Sequence, residues 1–216
     1  MRSFGKAGLN AIHGLLVAGE AWWFDTSRRV QTSGTTALKG LNILGDASDS
    51  CSYIPVRPSR ARKALDALPV HHHFTYTFVD IGSGKGRMLL VAAEYPFRKI
   101  VGIEFAAELN EMAVRNIAAY RSRKQKCREI ESLRMDALDF RFPDGNLVLY
   151  FFNPFGSATM QRLLEGLEHS LDRNPRDVLV VTVFPQFDSL FAATRHFKLC
   201  GRMRRCHIYR STNHAG

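Results

Sequence analysis

The chain is poor in cysteine and has no way to pair what it has by local spacing. Cys51, Cys127, Cys200 and Cys206 form no CxxC pair, and none lies near a histidine at zinc-finger spacing, which argues against a structural zinc module. Reduced thiols and a cytoplasmic protein are the simplest expectation. Long apolar runs are also missing. None reaches the roughly 18 residues that span a bilayer. The nearest, Phe4 to Phe24, is interrupted by Lys6, His13 and Glu20. It lacks the clean apolar centre and small-residue cleavage site of a signal peptide. Internal repeats and long low-complexity tracts are absent as well. The chain has 216 residues, 45% hydrophobic and 23% charged, which is ordinary globular usage. That length supports one decorated domain with a core of its own.

What is present in excess is positive charge, +10 at neutral pH. Such a balance favours acidic partners, whether nucleic acid, anionic membrane or an acidic protein face. The basic residues fall into three loose groups: Arg57, Arg60, Arg62 and Lys63; Arg121, Arg123, Lys124, Lys126 and Arg128; and Arg202, Arg204 and Arg205. They read either as solvated faces or as a docking surface, and no aromatic-rich RNA-binding signature accompanies them. The run His71-His72-His73 reads as a solvated linker rather than a metal site, because adjacent side chains do not converge on one ion.

The pattern divides near residue 74. Ahead of it, Leu9, Ile12, Leu16 and Trp23 can share one face of an amphipathic helix, with Leu15 and Trp22 beside it. This helix is expected to pack on the domain or a partner; a membrane-surface helix and a transit peptide stay open alternatives. Thr26–Ser52 reads as loop and turns. Tyr53-Ile-Pro-Val-Arg-Pro58 is held extended by its prolines, and Ser59 is placed to cap a helix that Pro69 stops. Beyond residue 74, strands are expected at Phe74–Ile81, Lys99–Glu104, Ile130–Arg134, Leu147–Phe152, Val178–Phe184 and Cys206–Arg210. Helices are expected at Gly86–Glu94, Ala106–Tyr120, Ala158–Leu171 and Asp188–Thr194. Strands that are apolar throughout and alternate with helices predict an α/β fold, a mostly parallel sheet covered on both faces. Residues 1–73 are thus expected to form a helical and loop extension that covers the site, and 74–216 the ligand-binding domain.

The chemistry centres on Val79-Asp80-Ile81-Gly82-Ser83-Gly84-Lys85-Gly86-Arg87, where a strand ends and a helix begins. Glycines there permit a sharp turn and close approach of a ligand, and the helix start favours an anionic group. The turn is not a dinucleotide fingerprint, because its third glycine comes one residue too soon and Arg87 stands in the required position. Nor is it a P-loop, since Val79 replaces the upstream glycine and Gly86 follows Lys85. Gly102-Ile-Glu104 ends the next strand, where an acidic side chain can accept from both hydroxyls of a ribose or simply cap the following helix. Met135-Asp136-Ala137 follows the third strand. Asp136 can accept from an exocyclic adenine amine, or serve as a turn residue. Leu149-Tyr-Phe-Phe-Asn153-Pro154-Phe155 closes the fourth. Its carbonyls suit an amine whose lone pair must be aimed, and Phe155 offers a wall or a ring face for a cation; an ordinary Asn-Pro turn is the alternative.

The form Asp80-x-Gly82-x-Gly84-x-Gly86, followed by Glu104 and Asp136 in order, resembles class I S-adenosylmethionine (SAM)-dependent methyltransferases over residues 74–184. Asn153-Pro154-Phe155 is similar to the N/D-P-P-Y/F motif of the amino-group enzymes, with one proline where that motif has two. Tyr53-x-Pro55 ahead of the core resembles the layout of small protein-lysine methyltransferases and of bacterial SAM-dependent methyltransferases of unassigned substrate. The resemblance implies a Rossmann-like class I methyltransferase sheet and SAM as cofactor. It implies a cofactor site of Tyr53, Asp80, Gly82, Ser83, Gly84, Lys85, Gly86, Glu104, Asp136 and Ala137, and an acceptor site of Asn153, Pro154 and Phe155. In that reading the Gly84 and Gly86 amides face the cofactor carboxylate and Lys85 adds charge. A nitrogen acceptor is expected, first a protein lysine, with RNA or a small metabolite as the alternative and a non-catalytic SAM-binding module as a third reading. No metal is implied.

Overall fold

A computed structural model describes residues 6–45, 48–184 and 186–212, with side chains from residue 17 onward. In chain order the strands are β1 (Tyr76–Ile81), β2 (Lys99–Glu104), β3 (Ile130–Arg134), β4 (Asn146–Phe152), β5 (Val178–Val183), β6 (Phe197–Met203) and β7 (Cys206–Ser211). The helices are α1 (Lys6–Arg28), α2 (Pro58–Asp66), α3 (Arg87–Ala92), α4 (Ala107–Ala119), α5 (Ser157–Arg173) and α6 (Asp188–Ala193). No helix among the described residues is long and apolar enough to cross a membrane.

The strands form one sheet in the order β3-β2-β1-β4-β5-β7-β6. The first five are mutually parallel; β7 runs antiparallel to β5, and β6 pairs antiparallel with β7. The order reverses between β1 and β4, and it is outside the carboxyl ends of strands at such a switch point that open α/β sheets bind ligands. Alternate residues along each strand face opposite layers. Phe78, Ile100, Val148, Tyr150 and Leu179 pack with Leu65 of α2 and Leu89 and Leu90 of α3. Val79, Ile103, Leu149 and Val180 pack with Leu163 and Leu167 of α5. Both faces of the parallel part are therefore covered, as continuous apolar strands require.

Three local expectations are corrected. β6 is a strand where none was expected. Trp22 and Trp23 lie on the exposed side of α1, 66% and 60% accessible, while Phe24 and Arg28 are buried. The packed face of α1 is set by Glu20, Phe24 and Arg28, one helical turn apart. The face assigned to Leu9, Ile12, Leu15 and Leu16 lies outside the described side chains. Ser59 does not cap α2. That helix begins at Pro58 after an extended Arg57, and both the Ser59 amide and its hydroxyl donate to the Glu20 carboxylate.

The described N-terminal region is held to the core by buried polar groups. Glu94, after α3, accepts from Arg28 at 2.9 Å and from Arg62 at 2.7 and 3.0 Å. Burial pushes its carboxyl upward, but the hydrogen bonds from Arg62 and Arg28 prevail and hold it below the ordinary value of 4.5. The resulting stabilisation is fully present above that value and is lost as pH falls through the lowered one. Glu94→Gln is expected to cost about 1–3 kcal/mol at neutral pH. It should also flatten the acid limb of stability below the ordinary carboxyl value of 4.5. Denaturant melts across that range check both, and an unchanged acid limb in the variant would remove Glu94 as its source.

Candidate active site

β1 delivers Asp80 to the rim and the chain turns at once. Gly82 has φ +80°, and a Cβ there would stand 2.6 Å from Pro154 Cβ. The two loops that end the neighbouring strands β1 and β4 are thus in direct contact. Gly84 has φ +55°, and a Cβ would meet the Tyr53 ring at 2.1 Å. Tyr53 is in turn fixed by donating its hydroxyl to the Thr32 carbonyl, 2.7 Å away.

Asp80 and Glu104 are both buried, 3% and 4% exposed, and line one cleft with Tyr53, Ser83, Arg87 and Asn153. Burial, and then the Glu104 charge, pushes the Asp80 carboxyl well above the ordinary carboxylate range. Burial also raises Glu104, against the hydrogen bonds it accepts from the Ala106 and Gly84 amides at 2.9 and 2.7 Å. The Asp80 carboxylate accepts no hydrogen bond, and neither carboxylate has a cationic partner, among the described residues. The hydroxyls of Tyr150 and Ser83, which line the same cleft, are buried without a hydrogen-bond partner among the described residues.

A second cavity adjoins the first, sharing Gly82, Phe105 and Pro154 with it and lined further by Ile103, Asp136, Ala137 and Phe155. Asp80 and Glu104 therefore stand on one side of a common wall and Asp136 on the other. Asp136 also acts as a turn residue, its carboxylate accepting from the Leu138 amide at 2.9 Å.

Several expected contacts are not made. Lys85 does not face the cleft: its ammonium donates to the Ser33 and Gly34 carbonyls at 3.0 and 3.3 Å. Its stem leaves the turn toward the N-terminal loop rather than toward the rim. The Gly84 amide is spent on Glu104 and the Gly86 amide on the Ser83 carbonyl at 2.9 Å, so neither is free for a ligand carboxylate. At the acceptor end, Asn153 has φ +50°; its side-chain Oδ1 accepts from the Gln186 side-chain amide, and the Pro154 backbone carbonyl accepts from the Cys51 amide at 3.2 Å.

The roles of other residues around the cleft are not written in their local sequence. Arg87 stands in the glycine motif, yet its role comes from partners more than fifty residues away. It is 2% exposed and donates to Thr32 at 2.6 Å and Ser33 at 2.8 Å, tying the N-terminal loop to the start of α3. The segment around Asp49–Cys51 lies along the rim. Ser50 bridges Phe155, and the Asp49 carbonyl accepts from the Gly156 amide at 2.8 Å while its carboxylate accepts from Thr159 at 3.3 Å. Asp49 so supplies the negative group that the start of α5 favours. Nothing in the local pattern of Thr26–Ser52 reveals this.

The geometry defines an α/β protein whose candidate ligand site is a carboxylate-lined crevice at the switch point of the sheet. No family model and no curated protein sequence matches the chain. Solved structures do. A predicted N6-adenine-specific DNA methylase from Listeria monocytogenes is 18% identical with a TM-score of 0.52, over 78% of this chain and 52% of that one. An RNA methyltransferase from Salinibacter ruber in complex with S-adenosyl-L-homocysteine is 18% identical with a TM-score of 0.51, over 76% and 95%. A ribosomal protein L11 methylase from Lactobacillus delbrueckii subsp. bulgaricus is 15% identical with a TM-score of 0.51, over 82% and 83%. The match spans about half the length of the first of these and nearly all of the second. The fold is the class I methyltransferase fold.

Proposed function

We propose that the chain is a SAM-dependent methyltransferase that acts on a nitrogen nucleophile. One observation carries this: Asp80 and Glu104 are buried together at the switch point without a cation. A buried unpaired carboxylate is costly, and a ligand bearing an ammonium and a sulfonium is the kind that offsets it. The orphaned Tyr150 and Ser83 hydroxyls add free hydrogen-bonding capacity to the same cleft. Fold neighbours named as methylases and methyltransferases support the same reading.

In this assignment Asp80 holds the methionine end. Glu104 accepts from the ribose hydroxyls with the oxygen lone pairs that Gly84 and Ala106 leave free. Asp136 and Ala137 receive the adenine in the adjoining cavity, against Phe155. Residues 74–216 form the catalytic unit and the segments ahead of it a cover. The two cavities measure about 60 and 50 Å³, below the roughly 300–1,000 Å³ of small-molecule sites. Loading therefore requires the Asp49–Tyr53 segment to lift from Pro154 and Phe155. Lifting also frees the Pro154 carbonyl, which can then accept from an incoming amine and aim its lone pair, together with the lone pair of Asn153 Oδ1 that Gln186 leaves free. Bound SAM would supply an electrophilic methyl group to the acceptor nitrogen, its thioether being the leaving group and the nitrogen's proton passing to solvent. The protein aligns the reactants and excludes water.

The narrower expectation of a protein lysine rests on the Asn153-Pro154-Phe155 and Tyr53-x-Pro55 resemblances alone. The fold neighbours do not favour it over a nucleic-acid nitrogen. Transfer of tritium from methyl-labelled SAM to lysate fractions, with and without nuclease or protease, tests the activity and separates the acceptors. Glu104→Ala is expected to weaken SAM binding by about 1.5–3 kcal/mol, roughly 10- to 150-fold. Calorimetry showing unchanged affinity in the folded variant removes Glu104 from the site.

A further inference from the structure

Two basic groups far apart in the sequence meet in the fold. The β4–β5 register sets Phe152 beside Val183, and the β5–β7 register sets Val183 beside Cys206. The β6–β7 turn, Arg204-Arg205, therefore stands on the same rim as Asn153. Its Cys206 neighbour is two strand spacings from Phe152, about 10 Å. Facing that turn is α2, which brings Arg57, Arg60 and Lys63. Between them lies a cavity of about 280 Å³ with Ala64, Val183 and Cys206 among its apolar lining. Arg57 is paired with Glu20 at 3.1 Å. Arg60, Lys63, Arg204 and Arg205 have no carboxylate partner among the described residues. On the far side of α2, Arg62 turns away to Glu94.

The cavity and the acceptor site are joined by rings. The Arg205 guanidinium lies 5.8 Å from the Phe184 ring, and Phe184 lies 5.8 Å from Phe152, which lines the carboxylate cleft. Converging unpaired cations, followed along one rim by partly exposed aromatic faces, are the pairing that single-stranded nucleic acid uses: phosphate on the cations, base on the rings. An acidic peptide would use the cations but has no need of the rings.

We propose that this cavity seats a backbone phosphate of a single-stranded nucleic acid, and that the neighbouring base is carried past Phe184 to Asn153 and Pro154. The proposal rests on the methyltransferase reading and narrows its acceptor to a nucleobase nitrogen. The remaining basic group serves as an internal control. β2 ends on the rim and α4 runs back from it, so Arg123 and Lys124 lie at the opposite edge of the sheet, near Trp23 and Arg28.

The test is fluorescence anisotropy of labelled single-stranded RNA and DNA 12-mers on the full chain, across a salt series. Lys63 and Arg204 are exposed, so K63E/R204E is expected to fold as the wild type does. It should weaken binding about tenfold or more and lower the salt slope by roughly 0.7 for each phosphate no longer neutralised. R123E/K124E makes the same change in net charge and should leave both within about twofold. Equal losses in the two variants would overturn the site in favour of diffuse charge attraction. Absence of binding, or a glutamate-rich peptide that binds as tightly and responds to K63E/R204E in the same way, would overturn nucleic acid as the occupant. S-adenosylhomocysteine titrations of the same variants keep the two levels apart. Unchanged cofactor affinity with lost oligonucleotide binding supports the cavity; oligonucleotide binding without any cofactor binding would sink the methyltransferase reading and leave the phosphate site standing.

Discussion

Asp80→Asn is expected to stabilise the cofactor-free protein while removing most of its affinity for SAM. Asp80 is buried, and burial followed by the Glu104 charge raises its carboxyl well above 3.8. A carboxyl raised in the folded state contributes stability that is fully present below its unfolded value and is lost as pH rises through the folded one. Above the unfolded value, keeping Asp80 inside the empty fold is therefore a cost, whether its carboxyl stays charged or takes up a proton. Its removal is expected to gain on the order of 1–2 kcal/mol, after the amide's own desolvation is offset. That corresponds to a melting temperature higher by about 2–8 °C. The same substitution leaves a cationic ligand without its buried counter-charge, a loss of about 2–5 kcal/mol, or roughly 30- to 5,000-fold in Kd. Wild-type affinity should also weaken as pH falls through the raised Asp80 value, because the protonated acid offers no charge, while the asparagine variant should lack this dependence. Scanning calorimetry and ligand titration of one preparation measure both halves. A destabilised variant that still binds SAM would place the carboxylate in a structural rather than a ligand role.

Gly84→Ala is expected to lower stability by about 2–5 kcal/mol, combining left-handed backbone strain with overpacking. The new methyl would stand 2.1 and 2.3 Å from Tyr53 ring carbons. Tyr53 cannot simply retreat, because its hydroxyl is bonded to Thr32 and the Lys85 ammonium lies 5.2 Å from its ring centre. The melting temperature should fall by on the order of 10 °C. A double-mutant cycle with Tyr53→Ala separates the two contributions. The clash should disappear in the double variant and the backbone strain should remain, giving a coupling of about 1–3 kcal/mol. Strict additivity would mean that Tyr53 does not rest on the glycine turn.

The legible part of this protein is the part whose chemistry sits at strand ends. Asp80 and Glu104 sit near the carboxyl ends of β1 and β2, Asp136 and Asn153 just beyond those of β3 and β4, and the parallel order brings those ends together. What is not legible depends on partners far along the chain. β6 carries Lys198 and Arg202, breaks register between Leu199 and Gly201, and is an edge strand, so it lacks the continuous apolar pattern of its neighbours. Lys85 lies in the most telling motif, yet its destination is decided by the Ser33 and Gly34 carbonyls. Trp23 has helical spacing for a packed face, but the Glu20–Phe24–Arg28 stripe finds buried partners instead. The meeting of Arg60 with Arg204 is set by strand register together with the packing of α2, which no local window contains.

Titration calorimetry of the purified wild-type chain with S-adenosylhomocysteine, near pH 8, tests the central assignment most directly. A single site is expected, with affinity cut sharply by Asp80→Asn and Glu104→Ala. A folded wild-type protein giving no binding heat at about 1 mM ligand, an affinity limit near −4 kcal/mol, would contradict it.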